Sequence, residues 1–99
     1  MLTVRVSATL SPEARDRAID QLGRESVEVP QQFSGCERFD VFVDPADSHR
    51  IFIYEEWVDE ASFNAYRTSE YFQAGGDILF PAMVGAPDSA YYLSERVGP

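Results

Sequence analysis

The sequence contains no lysine: its 8 basic side chains are all arginines, set against 17 carboxylates for a formal net charge of −9. Nothing in it supplies the basic face that tracks phosphates, which argues against nucleic-acid binding. An anionic membrane surface would repel the chain for the same reason. The single cysteine, Cys36, leaves no intrachain disulfide and fits a reducing compartment. The single histidine, His49, has no second His or Cys at ligand spacing, so no metal site is expected. A glycine-rich phosphate loop is missing too, because Gly75-Gly76 has neither the flanking strand nor the lysine. No stretch approaches the roughly twenty apolar residues of a membrane span. Residues 1–10 alternate instead of running apolar as a signal peptide does. The expectation is a cytoplasmic protein that carries no bound cofactor.

What is present is apolar and aromatic. Of the 99 residues 44% are hydrophobic, with 7 Phe, 5 Tyr and 1 Trp, enough for one folded domain spanning residues 1–99. Residues 2–10 alternate Leu2, Val4, Val6, Ala8 and Leu10 with polar partners, the period of a half-buried strand. Ser11-Pro12-Glu13 then predicts an N-cap, a proline at the first helical position and an acid in the first turn. Ala14, Ala18, Ile19 and Leu22 continue at helical spacing, and the helix is expected to fade between Gly23 and Val29, before Pro30. Residues 30–35 read as a polar connection.

A second strand is predicted over residues 38–44 and a third over residues 51–57, joined by a turn at Pro45-Ala46-Asp47-Ser48. The third strand is heavy on both faces: Ile51, Ile53, Glu55 and Trp57 on one, Phe52, Tyr54 and Glu56 on the other. Such a strand belongs in the middle of a sheet. Asp59 and Ser69 then predict the N-caps of two successive helices. Gly75-Gly76 reads as a weak point for the second of these, Pro81 as a kink or restart, and residues 90–96 as the last strand. The order β-α-β-β-α-β with right-handed crossovers predicts an α+β fold, a ferredoxin-like four-stranded antiparallel sheet with helices on one face. The uncovered face then calls for a partner sheet, and a homodimer is the expectation.

Glu55 stands out by position. It shares a strand face with Ile51, Ile53 and Trp57, so burial would raise its pKa and make it a usable base. The alternative is a structural carboxylate paired with an arginine or a backbone amide.

The run Tyr54-Glu55-Glu56-Trp57, then Asp59, then residues 63–72 (FNAYRTSEYF), resembles the antibiotic biosynthesis monooxygenase domain, as does Gly35-Cys36 ahead of Phe39. The resemblance implies a dimeric α+β barrel and a cofactor-independent monooxygenase acting on an electron-rich aromatic or quinol-type molecule. Isomerases, cyclases and non-catalytic small-molecule binders of the same fold are the alternative. Tyr66 and Tyr71 stand where many members carry histidines. Gly76 stands at the axial histidine of the haem-degrading branch, which speaks against that branch. The resemblance makes Tyr66 and Glu55 the candidate catalytic residues, and Trp57, Phe63, Tyr71 and Phe72 the candidate substrate contacts, with a small aromatic or quinone-like ligand.

Overall fold

The alternating N-terminal residues form β1 (Leu2–Thr9), and the chain continues through α1 (Arg15–Gln32), β2 (Cys36–Asp44), β3 (Asp47–Trp57), α2 (Glu60–Arg67), α3 (Glu70–Ala82) and β4 (Asp88–Leu93) in the computed structural model, which describes residues 1–99. The four strands form one antiparallel sheet in the order β2-β3-β1-β4, so β3 is central, as its two heavy faces predict, with β1 beside it. The fold is α+β and ferredoxin-like, with the second crossover made of two helices. Ile51, Ile53, Glu55 and Trp57 are all buried against the helices, while Phe52, Tyr54 and Glu56 on the opposite face are half-exposed. Trp57 is fully buried. A tryptophan removes roughly 150–250 Å² from water, a stabilisation on the order of 4–6 kcal/mol, which makes it the anchor of the core.

Several boundaries differ from the sequence reading. Residues 12–14 form a turn, and α1 starts at Arg15 with Ala14 as a cap that makes no side-chain hydrogen bond; Ser11 does not cap it. The helix does not fade at Gly23 but runs through Pro30 to Gln32, because its buried stripe of Ala18, Gln21, Leu22, Glu25 and Val29 continues unbroken. The hairpin is tighter than predicted. Asp44 pairs with Asp47, only Pro45 and Ala46 turn, and the Asp44 carboxylate accepts from Ala46 N at 2.7 Å. Helix α3 is continuous across Gly75 and Gly76, both buried, and includes Pro81 in its last turn. Strand β4 is shifted to Asp88–Leu93.

The other two predicted caps, Asp59 and Ser69, are present. Asp59 accepts from Ser62 N at 2.8 Å, and Ser69 Oγ accepts from Phe72 N at 3.1 Å while donating to the Tyr66 carbonyl at 2.6 Å. Ser69 therefore ties the end of α2 to the start of α3 and fixes the corner that carries Tyr66. Gly35 closes the opposite side of this corner. Its carbonyl accepts from Val58 N at 2.9 Å, and a Cβ there would overlap Ser62 Cβ and Oγ. No helix is long and apolar enough to cross a membrane.

Candidate active site

Register aligns the site across the sheet. Phe39 pairs with Glu55, Glu55 with Val4, and Val4 with Tyr91, so one row crosses all four strands; Ile53, Val6 and Ser89 form the next. These residues floor a cavity of about 300 Å³ whose walls come from α1, α2 and α3. A cavity of ~150 Å³ takes one benzene ring, so this one takes roughly two fused rings. Beside Ser89 and Tyr91 it is walled by Leu79 and Phe80 at the end of α3 and by Met83 and Pro87 in the segment leading to β4. Its polar side chains are few, and three of them are buried: Glu25, Glu55 and Tyr66.

Glu55 is 5% exposed and makes no ion pair. Its Oε1 accepts from Trp57 Nε1 at 2.9 Å. Its Oε2 has no partner within the protein and yet is not sealed away, so it is the oxygen open to the cavity. Burial pushes the carboxyl up to about 7; the indole hydrogen bond pulls the other way, and the nearby Glu25 adds to the rise. Such a carboxyl takes and returns protons near neutral pH.

Tyr66 is clamped by rings. It stacks on Trp57 at 5.2 Å between centroids and meets Phe33 and Phe72 edge-on at 5.1 and 5.2 Å. Burial, together with the carboxylates of Glu25 and Glu55, raises its phenol well above the usual range, so it remains a hydrogen-bond donor at any working pH. Its hydroxyl lies 3.5 Å from Glu25 Oε1, a long contact that a ligand oxygen can displace.

The family assignment agrees with this architecture. The profile of the antibiotic biosynthesis monooxygenase family matches residues 1–77. The chain belongs to that family. A crystal structure of an antibiotic biosynthesis monooxygenase is 27% identical, with a TM-score of 0.83, covering 97% of this chain and 100% of that one. The fold is also shared with a Deinococcus radiodurans protein described by the same family name (15% identity, TM-score 0.88, 100% and 97% covered). A conserved protein from Methanosarcina mazei is similar as well (19% identity, TM-score 0.84, 95% and 92% covered). No curated protein matches the sequence. Membership of the antibiotic biosynthesis monooxygenase family supports a monooxygenase-type activity for this chain.

The residues singled out in the sequence fall in three places. Glu55, Tyr66, Phe63 and Phe72 line the cavity. Trp57 does not: it stands behind Tyr66, packed on Phe63 and holding Glu55. Tyr71 also lies outside the lining, edge-on to Phe33 with its hydroxyl donating to Glu28 Oε1 at 2.8 Å. The partner of the Tyr66 hydroxyl is Glu25, not Glu55. Sequence reasoning missed Glu25 and Gln21, whose amide donates to Glu25 Oε2 at 2.8 Å. The available signal was two polar residues at core-facing helical spacing. Cys36 is buried with its thiol pushed up to about 12 by burial and the nearby Glu55, so it stays protonated. His49 sits half-exposed on the outer end of β3, its Nδ1 3.6 Å from the Asp47 carboxylate and far along the strand from Glu55.

Proposed function

We propose that this protein is a cofactor-independent monooxygenase of an electron-rich aromatic or quinol-type small molecule, with Glu55 as the base and Tyr66 as the oxyanion donor. The observation that carries the reading is the free Glu55 Oε2, a carboxyl oxygen without a cationic partner facing an apolar cavity of ring-compound size. For a substrate with an activated CH₂ flanked by aromatic carbonyl or phenol groups, Glu55 removes one proton. The resulting carbanion, delocalised as an oxyanion, gives an electron to dioxygen, and recombination forms a C–O bond to a peroxide anion. Protonated Glu55 returns its proton to that peroxide. Loss of water then leaves a carbonyl, so CH₂ and O₂ become C=O and H₂O. Substrate oxidation supplies all four electrons that dioxygen takes up.

Tyr66 donates to the oxygen on which charge develops in the first step, and preorganised donors of this kind stabilise the transition state most. Phe63 and Phe72 provide the ring walls, and the apolar lining excludes water. Trp57 and Tyr71 act outside the ligand surface, the first by orienting Glu55 and backing Tyr66. We also propose that the working form is a homodimer joined through the helix-free sheet face, where Phe42 stacks on Phe52 and Arg5 lies 5.4 Å over the Phe52 ring.

Oxygen uptake with an anthrone and a hydroquinone as probes tests the reading. One atom from ¹⁸O₂ should appear in the anthrone-derived carbonyl, and Glu55→Gln should abolish uptake. Conversion of a probe without oxygen uptake would assign the site to isomerisation or cyclisation instead, since the same base serves both.

A further inference from the structure

Helix α1 brings to the cavity a group that the oxygenation above does not use. Glu25 is 4% exposed and lines the same cavity as Glu55, and neither carboxyl forms an ion pair. Their hydrogen bonds are arranged alike. Gln21 Nε2 donates to Glu25 Oε2 at 2.8 Å, and Arg24 donates to Gln21 Oε1, so the amide can present only its nitrogen. Trp57 Nε1 occupies Glu55 Oε1. Each carboxyl thus keeps one oxygen on which a proton can sit: Oε1 of Glu25, facing Tyr66, and Oε2 of Glu55, facing the cavity. Gly75 makes the arrangement possible, because a Cβ there would stand 2.8 Å from Glu25 Oε2.

The charged and titratable neighbours of Glu25 are Arg24 and Glu28 on its own helix, Tyr66 on α2, Tyr71 on α3 and Glu55 on β3. Those of Glu55 are Glu25, Tyr66 and Cys36. Arg24 is the sole cation among them, and its side chain is engaged by Gln21. Glu25 adds to the rise of the Glu55 carboxyl, and two carboxyls that interact across one apolar cavity release their protons in separated steps.

We propose that Glu25 is a positioning residue that shares a single proton with Glu55, setting both the basicity of Glu55 and the direction of the Tyr66 hydroxyl. When the proton sits on Glu25 Oε1, it points at the Tyr66 oxygen, and the Tyr66 hydrogen is released toward the cavity. Glu55 is then ionised, so base and donor are ready together. When the proton sits on Glu55, ionised Glu25 draws the Tyr66 hydrogen to itself, and the site is idle. Burial raises both carboxyls, Glu55 to about 7.

The proposal builds on Glu55 as the base, but its test needs no turnover. Trp57 is the only tryptophan and is bonded to Glu55, so its fluorescence reports that carboxyl's ionisation. A pH titration of the intact protein should show a step near neutral pH that Glu55→Gln abolishes. Glu25→Gln should move the step down by about one pH unit or more. By reciprocity of the coupling free energy, ¹³C carboxyl NMR of the Glu55→Gln protein should show the Glu25 midpoint falling as well. This second arm does not depend on the Glu25→Gln variant folding. A Glu25 that serves only to pack the helix would leave both midpoints where they were, and that result would overturn the proposal. Coupled midpoints in a protein that consumes no oxygen with any probe would uphold the shared proton and count against the oxygenase reading alone.

Discussion

The indole nitrogen of Trp57 donates to the carboxylate of Glu55, two residues before it on the same strand face, at 2.9 Å. The most deeply buried ring of the core is thus also the clamp of the candidate base. Glutamine at position 55 preserves an acceptor for that clamp and removes only the proton chemistry. We expect Glu55→Gln to fold and to lose roughly 10²–10⁴-fold in turnover of an anthrone or quinol probe, measured as oxygen uptake. Retained turnover would remove Glu55 from the role of base.

Stability should depend on pH through the same residue. The Glu55 carboxyl is raised from 4.5 to about 7 in the folded chain, so between those values the native state binds more protons than the unfolded one. The contribution is fully present below the unfolded pKa and is lost as pH rises through the folded one, a fall of about 3 kcal/mol across the window. The raised Glu25 adds a decline of the same sign. Urea denaturation at pH 5 and pH 8 should show wild type weaker at pH 8 and the gap reduced in Glu55→Gln. Equal gaps in the two proteins would contradict the buried, unpaired state of Glu55.

Tyr66→Phe keeps the ring that stacks on Trp57 and meets Phe72 edge-on, and deletes only the hydroxyl. Removal of an oxyanion donor costs about 2.7–4 kcal/mol of transition-state stabilisation, so turnover should drop by roughly a hundredfold or more. The unfolding midpoint should stay close to wild type. Full activity in Tyr66→Phe would exclude the hydroxyl from the reaction.

Gly35 has no room for a side chain, since an added Cβ would overlap Ser62 at the start of α2. Gly35→Ala should therefore destabilise the fold by about 1–3 kcal/mol, read as a lowered denaturation midpoint with an unchanged slope. A neutral substitution would show that the corner can shift at no cost.

The helix-free sheet face should hold two copies together. Sedimentation at micromolar concentration is expected to give a dimer. Phe52→Ala should weaken it by roughly 3–5 kcal/mol, as loss of a core aromatic does. A monomeric wild type would refute the arrangement.

The strands and the two later helix starts were legible because their signals are local. Alternation places Ile51, Ile53, Glu55 and Trp57 on one face, and Asp59 and Ser69 are caps whose side chains each bond three residues on. Helix α1 was misjudged for a reason that bears on function. Its buried stripe carries Gln21 and Glu25 where an apolar residue would announce a helix, and Gly23 and Pro30 punctuate the same stretch. Local rules fail where polar side chains take core-facing positions, and here they failed on Gln21 and Glu25. Trp57 was misplaced for the opposite reason. Its strand face is as predicted, but Tyr66 lies between it and the cavity, a layering that only tertiary packing decides.

Leu79, Phe80, Met83, Pro87, Ser89 and Tyr91 all follow residue 77, where the match to the family ends, while Glu25, Glu55 and Tyr66 all precede it. The proposed acid–base residues and this end of the cavity therefore lie in different stretches of the chain. A library confined to those six wall positions is the economical route to changing what this protein accepts.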